Sequence, residues 1–453
     1  MNIKDKNIII FGLGVTGISS LKTLSRLGAN VFLYTDSQNE DFFEQVNKLS
    51  DFEFNIINNI SDISWQEISY IIKSPGIKPT NDFLLLAKEK GVQVISDIEM
   101  AILIYDKLKY ISITGTNGKT TTTSLVAHLL NVGGVEAKVV GNIGVGILEE
   151  IEKNGQDIVY VMELSSFQLD STPSIHADLT LLLNISPDHI DWHGSYEAYI
   201  NAKLNIIKNL GINDRVIINQ DDKIKDFIPD ESTFERRFIS TKELVQSGSR
   251  LTNGKFYIDG QDTGIVREDY HLVGDHNLQN ALFAIEAAHF YNISNEKIKE
   301  GLSSFKAIEH RLEFIGQINV VNYYNDSKGT NIDSTNKALS GFEKGVILIA
   351  GGYDKGVDFS DLFIDSKCIK ELLIFGQTKD KLVKACIDAN IAYKTFNNLD
   401  EIVDYAVKNS EKGDTVLLSP ACASWDMYKS YEERGNHFKQ LVEKHRENSG
   451  KEN

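Results

Sequence analysis

Short apolar runs alternate with amphipathic segments along most of the chain, a pattern that is typical of an α/β protein. The run NIIIFGLG (7–14) predicts a buried strand that ends in a glycine turn. A helix is expected over 16–27, and NVFLYTD (30–36) predicts the next strand. With further strands expected at 70–76 and 91–96, this part of the chain predicts a Rossmann-like domain.

The same alternation restarts after a connecting helix predicted over 97–108. KYISIT (109–114) predicts the first strand of the new series, and the paired residues Asn253-Gly254 and Asp259-Gly260 predict hairpin turns. Helices are expected over 276–291 and 294–304. The remaining strands of this series are predicted at 138–142, 158–164, 178–185 and 215–220.

A third series starts near residue 307, where INVVNYYNDS, GVILIAGG, ELLIFGQ and DTVLLSP each predict one strand. We therefore predict an α/β fold of three domains. These are an N-terminal Rossmann-like domain (1–96), a central P-loop ATP-binding domain with a mostly parallel sheet (97–306), and a C-terminal Rossmann-like domain (307–453).

Composition narrows the class of protein. The formal net charge of −17 over 453 residues argues against nucleic-acid binding, which depends on a cationic surface. The three cysteines form no CxxC pair, and this is the usage expected in a reducing cytoplasm. No apolar run reaches the length of a membrane span. We expect a cytoplasmic protein that binds neither nucleic acid nor membrane.

ITGTNGKTTTTSLV (113–126) resembles a phosphate-binding loop but lacks the first glycine of the usual G-x-x-x-x-G-K-[ST] pattern. Gly115 and Gly118 lie between a predicted strand and a predicted helix, where backbone N–H groups bind anions. Lys119 would add a cation for phosphate, and Thr120 a hydroxyl for Mg²⁺. The alternative is a plain strand–helix turn with an incidental lysine, which this placement disfavours.

GLGVTG (12–17) is a complete dinucleotide-binding pattern after the first strand, and Asp36 follows at the usual distance. Taken alone, the segment favours NAD. The alternatives are a glycine turn that only allows close packing of helix and strand, and another nucleotide diphosphate at the same helix N-terminus.

Two downstream segments carry further polar candidates. MELSSFQLD (162–170) places Glu163 at a strand end, where a carboxylate commonly holds Mg²⁺. The segment 184–206 contains His189 and Lys203. Zinc is conceivable there, but neither a cysteine partner nor an H-E-x-x-H helix is present, so a role for His189 near Mg²⁺ and phosphate fits better.

In this order, GTNGKTTT, ELSSFQLD, DHIDWHGSYEAYINAKLNI, GDHNLQNA, EHRLE and NDSKGTN resemble the Mur ligases of peptidoglycan synthesis over nearly the whole chain. SPGI, GNIG and SPACASWDMYKSYEERG resemble the branch of that family that adds D-glutamate. The resemblance implies three small-molecule substrates: ATP, UDP-N-acetylmuramoyl-L-alanine and D-glutamate. It also implies Mg²⁺, with two ions expected, an acyl-phosphate intermediate, and a monomer.

The resemblance assigns residues by position in the matching motifs. The ATP-binding residues would be Gly115, Thr116, Asn117, Gly118, Lys119, Thr120, Thr121, Asn277, Asn280, His310, Arg311 and Asp326. The metal ligands would be Thr120, Glu163, His189 and Lys203 as a carbamate, and the catalytic residues Lys119, His189 and Lys203. The UDP-sugar would contact Val15, Thr16, Asp36, Ser37, Ser74, Gly76 and Asn142, which replaces NAD at GLGVTG. D-Glutamate would contact Thr330, Lys355, Ser424 and Tyr431.

Two positions depart from the family pattern. Tyr431 stands where phenylalanine is frequent, so a backbone contact is the safer inference there. Lys355 follows an unusual Gly-Tyr-Asp order. The remaining alternatives are another Mur ligase, an NAD-dependent oxidoreductase that uses GLGVTG, and a non-catalytic P-loop protein. The oxidoreductase leaves GTNGKT and the His189 and Lys203 segment unexplained, and the many polar residues at predicted strand ends argue against a non-catalytic protein.

Overall fold

Three β-sheets with helices packed against them form the fold. A computed structural model describes residues 1–272, 274–306, 309–363 and 366–449, with the side chains of residues 41, 191, 366, 448 and 449 also left out. The described chain divides into two units, the first made of Met1–Tyr270 and Gln279–Ser304 and the second of His271–Leu278 and the residues from Phe305 onward. The domain boundary expected after residue 306 falls at residues 307 and 308, which lie outside the described residues.

The first sheet has five parallel strands in the order β3-β2-β1-β4-β5, and it lies in the first unit. The strands predicted at 7–14, 30–36 and 91–96 are confirmed with shorter bounds, and the one predicted at 70–76 is confirmed but begins two residues earlier, at Ile68. Its elements are β1 (Asn7–Phe11), α1 (Val15–Arg26), β2 (Asn30–Tyr34), α2 (Glu40–Asn47), β3 (Asn55–Ile56), β4 (Ile68–Lys73), α3 (Asp82–Glu89) and β5 (Gln93–Ile95).

The second sheet, also in the first unit, has nine strands in the order β14-β13-β12-β11-β10-β9-β6-β8-β7. Strand pairs from β12 to β7 are parallel, and the β12–β13 and β13–β14 pairs are antiparallel. Its elements are α4 (Asp97–Ile104), β6 (Lys109–Thr114), α5 (Lys119–Val132), β7 (Ala137–Gly141), α6 (Ile147–Asn154), β8 (Val159–Glu163), α7 (Ser166–Leu169), β9 (Leu179–Leu182), α8 (Ile190–His193), α9 (Tyr196–Leu204), β10 (Arg215–Asn219), β11 (Glu235–Ser240), β12 (Gly248–Thr252), β13 (Lys255–Ile258), β14 (Gln261–Val266), α10 (Asp275–Phe290) and α11 (Asn295–Ser304).

Both predicted hairpin turns are confirmed. Asn253 and Gly254 connect β12 to β13, and Asp259 and Gly260 connect β13 to β14, with all four residues at positive φ. Strand β11 was not predicted, because its sequence ERRFIS begins with three charged residues.

The third sheet lies in the second unit and has the order β15-β16-β20-β17-β18-β19, with only the β15–β16 pair antiparallel. The strand predicted at INVVNYYNDS is confirmed as β16 (Val321–Asn325), but the start of the segment differs from the prediction. Asn319 and Val320 have φ values of 51° and 66° and form the turn of a hairpin with β15. The elements are β15 (Glu313–Ile318), β16 (Val321–Asn325), α12 (Ile332–Leu339), β17 (Val346–Gly351), β18 (Ile369–Phe375), α13 (Lys379–Ala389), β19 (Tyr393–Thr395), α14 (Leu399–Asn409), β20 (Thr415–Leu418) and α15 (Tyr431–Ser449).

The central strands are buried along their length, as expected for parallel sheets that are covered on both faces. Every residue of β8, β9, β17 and β20 is buried. Loops follow the carboxyl ends of these strands, and ligands bind at such loops in parallel sheets. The three cysteines are free and buried. Within the described part of the chain, no helix combines the length and the apolar character needed to cross a bilayer.

Candidate active site

The turn between β6 and α5 ends at a left-handed glycine. Gly118 has a φ of 82° and precedes the first residue of α5. A Cβ atom at Gly118 would lie 2.7 Å from Asn280 Oδ1, and one at Gly115 would lie 2.8 Å from Leu183 Cβ. Both positions therefore require glycine. This turn leads into the N-terminus of a 14-residue helix, the kind of site that favours anions.

Two residues that sequence reasoning did not single out hold this loop. The Asn184 carbonyl accepts a hydrogen bond from Thr116 N at 3.0 Å, and the Asn184 side chain bonds both the N–H and the carbonyl of Asn117 at 2.9 Å. The buried Tyr199 hydroxyl lies 3.0 Å from Thr116 Oγ1. Tyr199 lies four residues before Lys203 on α9, and this helical spacing could have revealed it.

Lys119 and Lys203 donate hydrogen bonds to the same backbone oxygen. Lys119 Nζ lies 2.8 Å from the Gly115 carbonyl oxygen, and Lys203 Nζ lies 2.7 Å from it. Lys203 is buried, with its nitrogen 4.8 Å from the centre of the Tyr199 ring. Burial lowers the pKa of Lys203 well below its usual value, and the nearby Lys119 charge lowers it further against the opposing effect of Asp188 and Glu163. Lys203 therefore loses its proton more readily than an exposed lysine does.

Glu163, at the end of β8, has one satisfied and one unsatisfied carboxylate oxygen. Its Oε1 accepts a hydrogen bond from Asn142 Nδ2 at 2.9 Å, and its backbone carbonyl accepts one from Asn142 N at 2.8 Å. Its Oε2 is buried and has no hydrogen-bond partner among the described residues. Such an oxygen is costly unless a cation or donor satisfies it. Carboxylate and hydroxyl oxygens are ligands that Mg²⁺ accepts, and Thr120, the other oxygen ligand predicted for this ion, lies in the first turn of α5.

His189 precedes α8 in the left-handed conformation, with a φ of 52°. Its side chain is about half exposed, and its ring lies 4.8 Å from the Phe167 ring. His193 is engaged by other groups, with its Nε2 3.0 Å from Ser166 Oγ. The side chain of Asp191 lies outside the described residues. Among the residues that the structure describes, no group of three or more His, Cys, Asp and Glu side chains is arranged to hold a metal ion.

Asn280 lies against the phosphate loop. It is buried on α10, and its Oδ1 accepts a hydrogen bond from Thr122 Oγ1 at 3.0 Å. Thr121 is buried in the same turn of α5. Asn277 is buried as well but belongs to the second unit, where its N–H donates to the Gly274 carbonyl at 3.0 Å. The structure therefore assigns the two amides to different units, although they are three residues apart.

The GLGVTG turn has a close approach to the end of β4. Gly12 has a φ of 95°, and a Cβ atom there would lie 2.8 Å from Ser74 Oγ. Ser74 Oγ is buried and lacks a hydrogen-bond partner within the described part of the chain. Val15 and Thr16 begin α1, and Val15 is exposed. The turn therefore combines a helix N-terminus with an unsatisfied hydroxyl, which suits a bound anion.

The other predicted UDP-sugar residues follow β2, β4 and β7, and β7 belongs to the second sheet. Asp36 is exposed after β2, and its carboxylate accepts hydrogen bonds from Tyr34 OH at 3.2 Å and Asn81 Nδ2 at 2.8 Å. Ser37 is exposed beside it, and a Cβ atom at Gly76 would meet open space. Asn142 contacts Glu163, so the predicted sugar and metal residues are directly linked.

In the second unit, His310 and Asp326 are buried and engaged. His310 has a φ of 64°, and its Nδ1 lies 2.9 Å from Asn325 Nδ2. Ser419 Oγ donates to Asp326 at 2.6 Å, and Leu312 N donates to it at 3.2 Å. Burial raises the pKa of Asp326 to about 6. Arg311, the remaining ATP candidate of this unit, is partly buried beside His310.

The predicted D-glutamate residues follow three adjacent strands. Thr330 comes after β16, Lys355 after β17 and Ser424 after β20, and these strands are neighbours in the sheet. Ser424 is buried, whereas Lys355 is exposed. The Tyr431 carbonyl accepts a hydrogen bond from Ser327 Oγ at 2.8 Å, so this part of its backbone is already used within the unit.

Arg434 joins these loops and was missed by sequence reasoning. It is fully buried on α15, and its guanidinium donates to Ser327 Oγ at 2.9 Å, to Ser327 O at 2.7 Å and to Cys422 O at 3.1 Å. A Cβ atom at Gly352 would lie 3.3 Å from its Nη1. Burial lowers the pKa of Arg434 to about 10. The signal was present in the sequence, since an arginine follows Tyr431 by one helical turn.

Family profiles match the three parts of the chain that carry these sites. Residues 6–96 match the Mur ligase MurD-like N-terminal domain, 113–288 the Mur ligase middle domain, and 310–422 the Mur ligase glutamate ligase domain. The chain belongs to the Mur ligase family. The α/β fold with N-terminal, central and C-terminal Mur ligase domains is thereby confirmed.

Near full-length relatives belong to the same family. A protein of Clostridioides difficile named UDP-N-acetylmuramoylalanine--D-glutamate ligase is 37% identical over 98% of this chain and 99% of its own length. Proteins with the same name from Caldicellulosiruptor bescii and Streptococcus mutans are each 38% identical, over 98% and 96% of this chain and 98% and 97% of their own lengths.

Solved Mur ligases share the fold at low sequence identity. The crystal structure of UDP-N-acetylmuramate-alanine ligase MurC from Thermotoga maritima is 16% identical, with a TM-score of 0.61 over 97% of this chain and 99% of that one. MurF from Acinetobacter baumannii is also 16% identical, with a TM-score of 0.63 over 97% of this chain and 93% of that one. At this identity, the two structures support the fold alone.

Proposed function

We propose that this chain is an ADP-forming ligase that joins D-glutamate to UDP-N-acetylmuramoyl-L-alanine in the synthesis of peptidoglycan precursors. The observation that carries the proposal is the near full-length similarity to relatives named for this reaction. The geometry agrees with it, because the first unit contains a phosphate loop with two lysines directed at one carbonyl oxygen.

The reaction forms an amide from a carboxylate and an amine. The γ-phosphoryl group of ATP passes to the alanyl carboxylate, which gives an acyl phosphate and ADP. The amine of D-glutamate then attacks the acyl carbon, phosphate leaves, and the nitrogen loses a proton. No protein nucleophile is needed, so orientation and charge stabilisation provide most of the rate. The α5 N-terminus and Lys119 would bind the transferred phosphate.

Mg²⁺ would supply charge neutralisation between the nucleotide and the carboxylate. We assign Thr120 and Glu163 to one ion, and the buried, unpartnered Glu163 Oε2 supports this assignment. We assign His189 and Lys203 to a second ion. Carbamylation would convert Lys203 from a cation into an anionic oxygen ligand, and the burial of its amine favours the neutral form that reacts with carbon dioxide.

The remaining assignments belong to the same proposal. UDP would occupy the GLGVTG turn, where the unsatisfied Ser74 hydroxyl supports an anionic ligand, and D-glutamate would contact the loops after β16, β17 and β20. The three domains would span 1–96, 97–306 and 307–453. The enzyme would act as a monomer in the cytoplasm, where a reducing environment suits three free cysteines.

The test is ADP release with UDP-N-acetylmuramoyl-L-alanine and one amino acid at a time. We expect release that depends on D-glutamate. Release that depends on L-lysine or meso-diaminopimelate would overturn the proposal, and hydride transfer with NAD would favour the oxidoreductase alternative. Lys119→Ala should lose the signal, whereas Lys109→Ala should keep it, because Lys109 is exposed at the start of β6. This pair excludes a contaminating ATPase.

A further inference from the structure

Two loops of the second unit are tied together at the carboxyl ends of β17 and β20. Tyr353 N donates to the Ala423 carbonyl at 2.9 Å, and Gly351 N donates to the Pro420 carbonyl at 2.9 Å. Asp354 is held by Lys381 Nζ at 2.8 Å. These bonds give the residues that follow, Lys355 on one loop and Trp425 on the other, a fixed base.

An exposed aromatic cluster stands on this base. Trp425 is 63% exposed, although Ala423 and Ser424 before it are buried. The Tyr353 ring is 5.6 Å from the Trp425 ring, and Asp426, after Trp425, accepts a hydrogen bond from Gln377 N at 3.0 Å. Large aromatic side chains that are exposed on anchored loops are typical of binding surfaces.

The ammonium of Lys355 lies over the Trp425 ring, 5.4 Å from its centre. Among the described residues, Lys355 forms no ion pair with a carboxylate. An aromatic ring orients an ammonium group without cancelling its charge, whereas a carboxylate partner would compete with an anionic ligand. A lysine placed in this way keeps its full charge for an incoming carboxylate.

We propose that Trp425 is a specificity-determining residue of the amino-acid pocket, because its ring orients the Lys355 ammonium towards the side-chain carboxylate of an acidic amino acid. This inference rests on the proposed function. It predicts that Trp425 contributes to the recognition of a dicarboxylic amino acid, and that it contributes nothing to nucleotide binding.

The experiment compares Trp425→Leu, Trp425→Phe and the wild type in steady-state ADP release. Trp425→Leu removes the cation–π contact. Because such a contact is of ordinary strength, its loss should raise the KM for D-glutamate about 3- to 30-fold. The KM for ATP should not change. Trp425→Phe keeps an aromatic ring and should lie within about threefold of the wild type. Tyr393→Leu is the matched control, since Tyr393 is an exposed aromatic residue on the edge strand β19.

A second measurement separates orientation of Lys355 from a merely structural role. D-Glutamine has the same shape as D-glutamate but lacks the side-chain charge. We therefore expect Trp425→Leu to reduce the ratio of the inhibition constant for D-glutamine to the KM for D-glutamate. A loss of thermal stability with an unchanged ratio would overturn the inference, as would an unchanged KM for D-glutamate. If the wild type shows no ADP release that depends on D-glutamate, both the proposed function and this inference fail. If only the variant comparison fails, the proposed function stands.

Discussion

Single side chains in the first unit owe their chemistry to burial. Lys119 and Lys203 could be singled out from their motifs, but their convergence on the Gly115 carbonyl could not, because Lys203 is 88 residues away in sequence. The unsatisfied Glu163 Oε2 likewise depends on the folded chain, because Asn142, 21 residues away, bonds the other carboxylate oxygen. Residue types are therefore readable from motifs, whereas their protonation and partners depend on the folded chain.

At this scale, Lys203→Ala should lower the rate of ADP release by about 100-fold, since it removes the group assigned to the second metal ion. Added formate or acetate should restore part of the rate, because a small carboxylate can enter the vacated space and supply an anionic oxygen. The measurement is the initial rate with and without the carboxylate. Lys208→Ala is the control, because Lys208 is exposed just beyond α9. An absence of rescue would contradict the carbamate.

Elements were predictable where the local pattern determines them. The strand–loop–helix around GTNGKT and both hairpin turns agree with prediction, since glycine and asparagine at positive φ leave a local signal. Strand β11 escaped prediction because Arg237 is buried through bonds to residues that are distant in sequence, among them Asp259 and Glu286, the latter 49 residues later. The β15–β16 turn escaped because Val320, at its second position, is a residue that rarely adopts positive φ.

The two ends of α5 allow a test of the loop. Gly118 and Gly134 both have positive φ, 82° and 87°, but only a Cβ at Gly118 meets another atom, Asn280 Oδ1. Each change to alanine should cost roughly 1 kcal/mol from backbone strain. Gly118→Ala should additionally raise the KM for ATP by at least about tenfold, because the loop between β6 and α5 must move away from Asn280 to make room for the Cβ atom.

Thermal unfolding and ATP titration of both variants give the measurement for α5. Gly134→Ala should bind ATP as the wild type does, since the space around Gly134 is open. Equal effects of the two substitutions on the KM for ATP would show that strain alone, and not the contact with Asn280, determines the outcome.

For the whole molecule, the order of motifs along the chain was more informative than any motif by itself. GLGVTG alone favours a dinucleotide, and only its position ahead of GTNGKT and the histidine–lysine segment leads to the Mur ligases. What this order could not reveal is how each unit holds its own loops together. Asn184 and Tyr199 do this in the first unit and Arg434 in the second, through contacts that are distant in sequence.

Arg434 gives a test that distinguishes the two units. Arg434→Met leaves Ser327 O and Cys422 O, two buried acceptors, without their donor, which should cost roughly 2–4 kcal/mol. Hydrogen–deuterium exchange should rise in 327–330 and 422–424 and stay unchanged in 115–122. The KM for D-glutamate should rise as well, because these loops carry its predicted contacts. Arg434→Lys should not restore it, since an ammonium cannot reproduce the planar fork of donors.

The control on the same helix is Arg446→Met. Arg446 is half exposed and pairs with Glu443 at 2.7 Å, an interaction of the kind that contributes little to stability. Exchange that rises equally in 115–122 for Arg434→Met would mean that Arg434 supports the molecule as a whole. A confined rise together with an unchanged KM for D-glutamate would make Arg434 a purely structural tie. Only a confined rise with a higher KM makes it a positioning residue, because the loops it joins are then the ones that bind the amino acid.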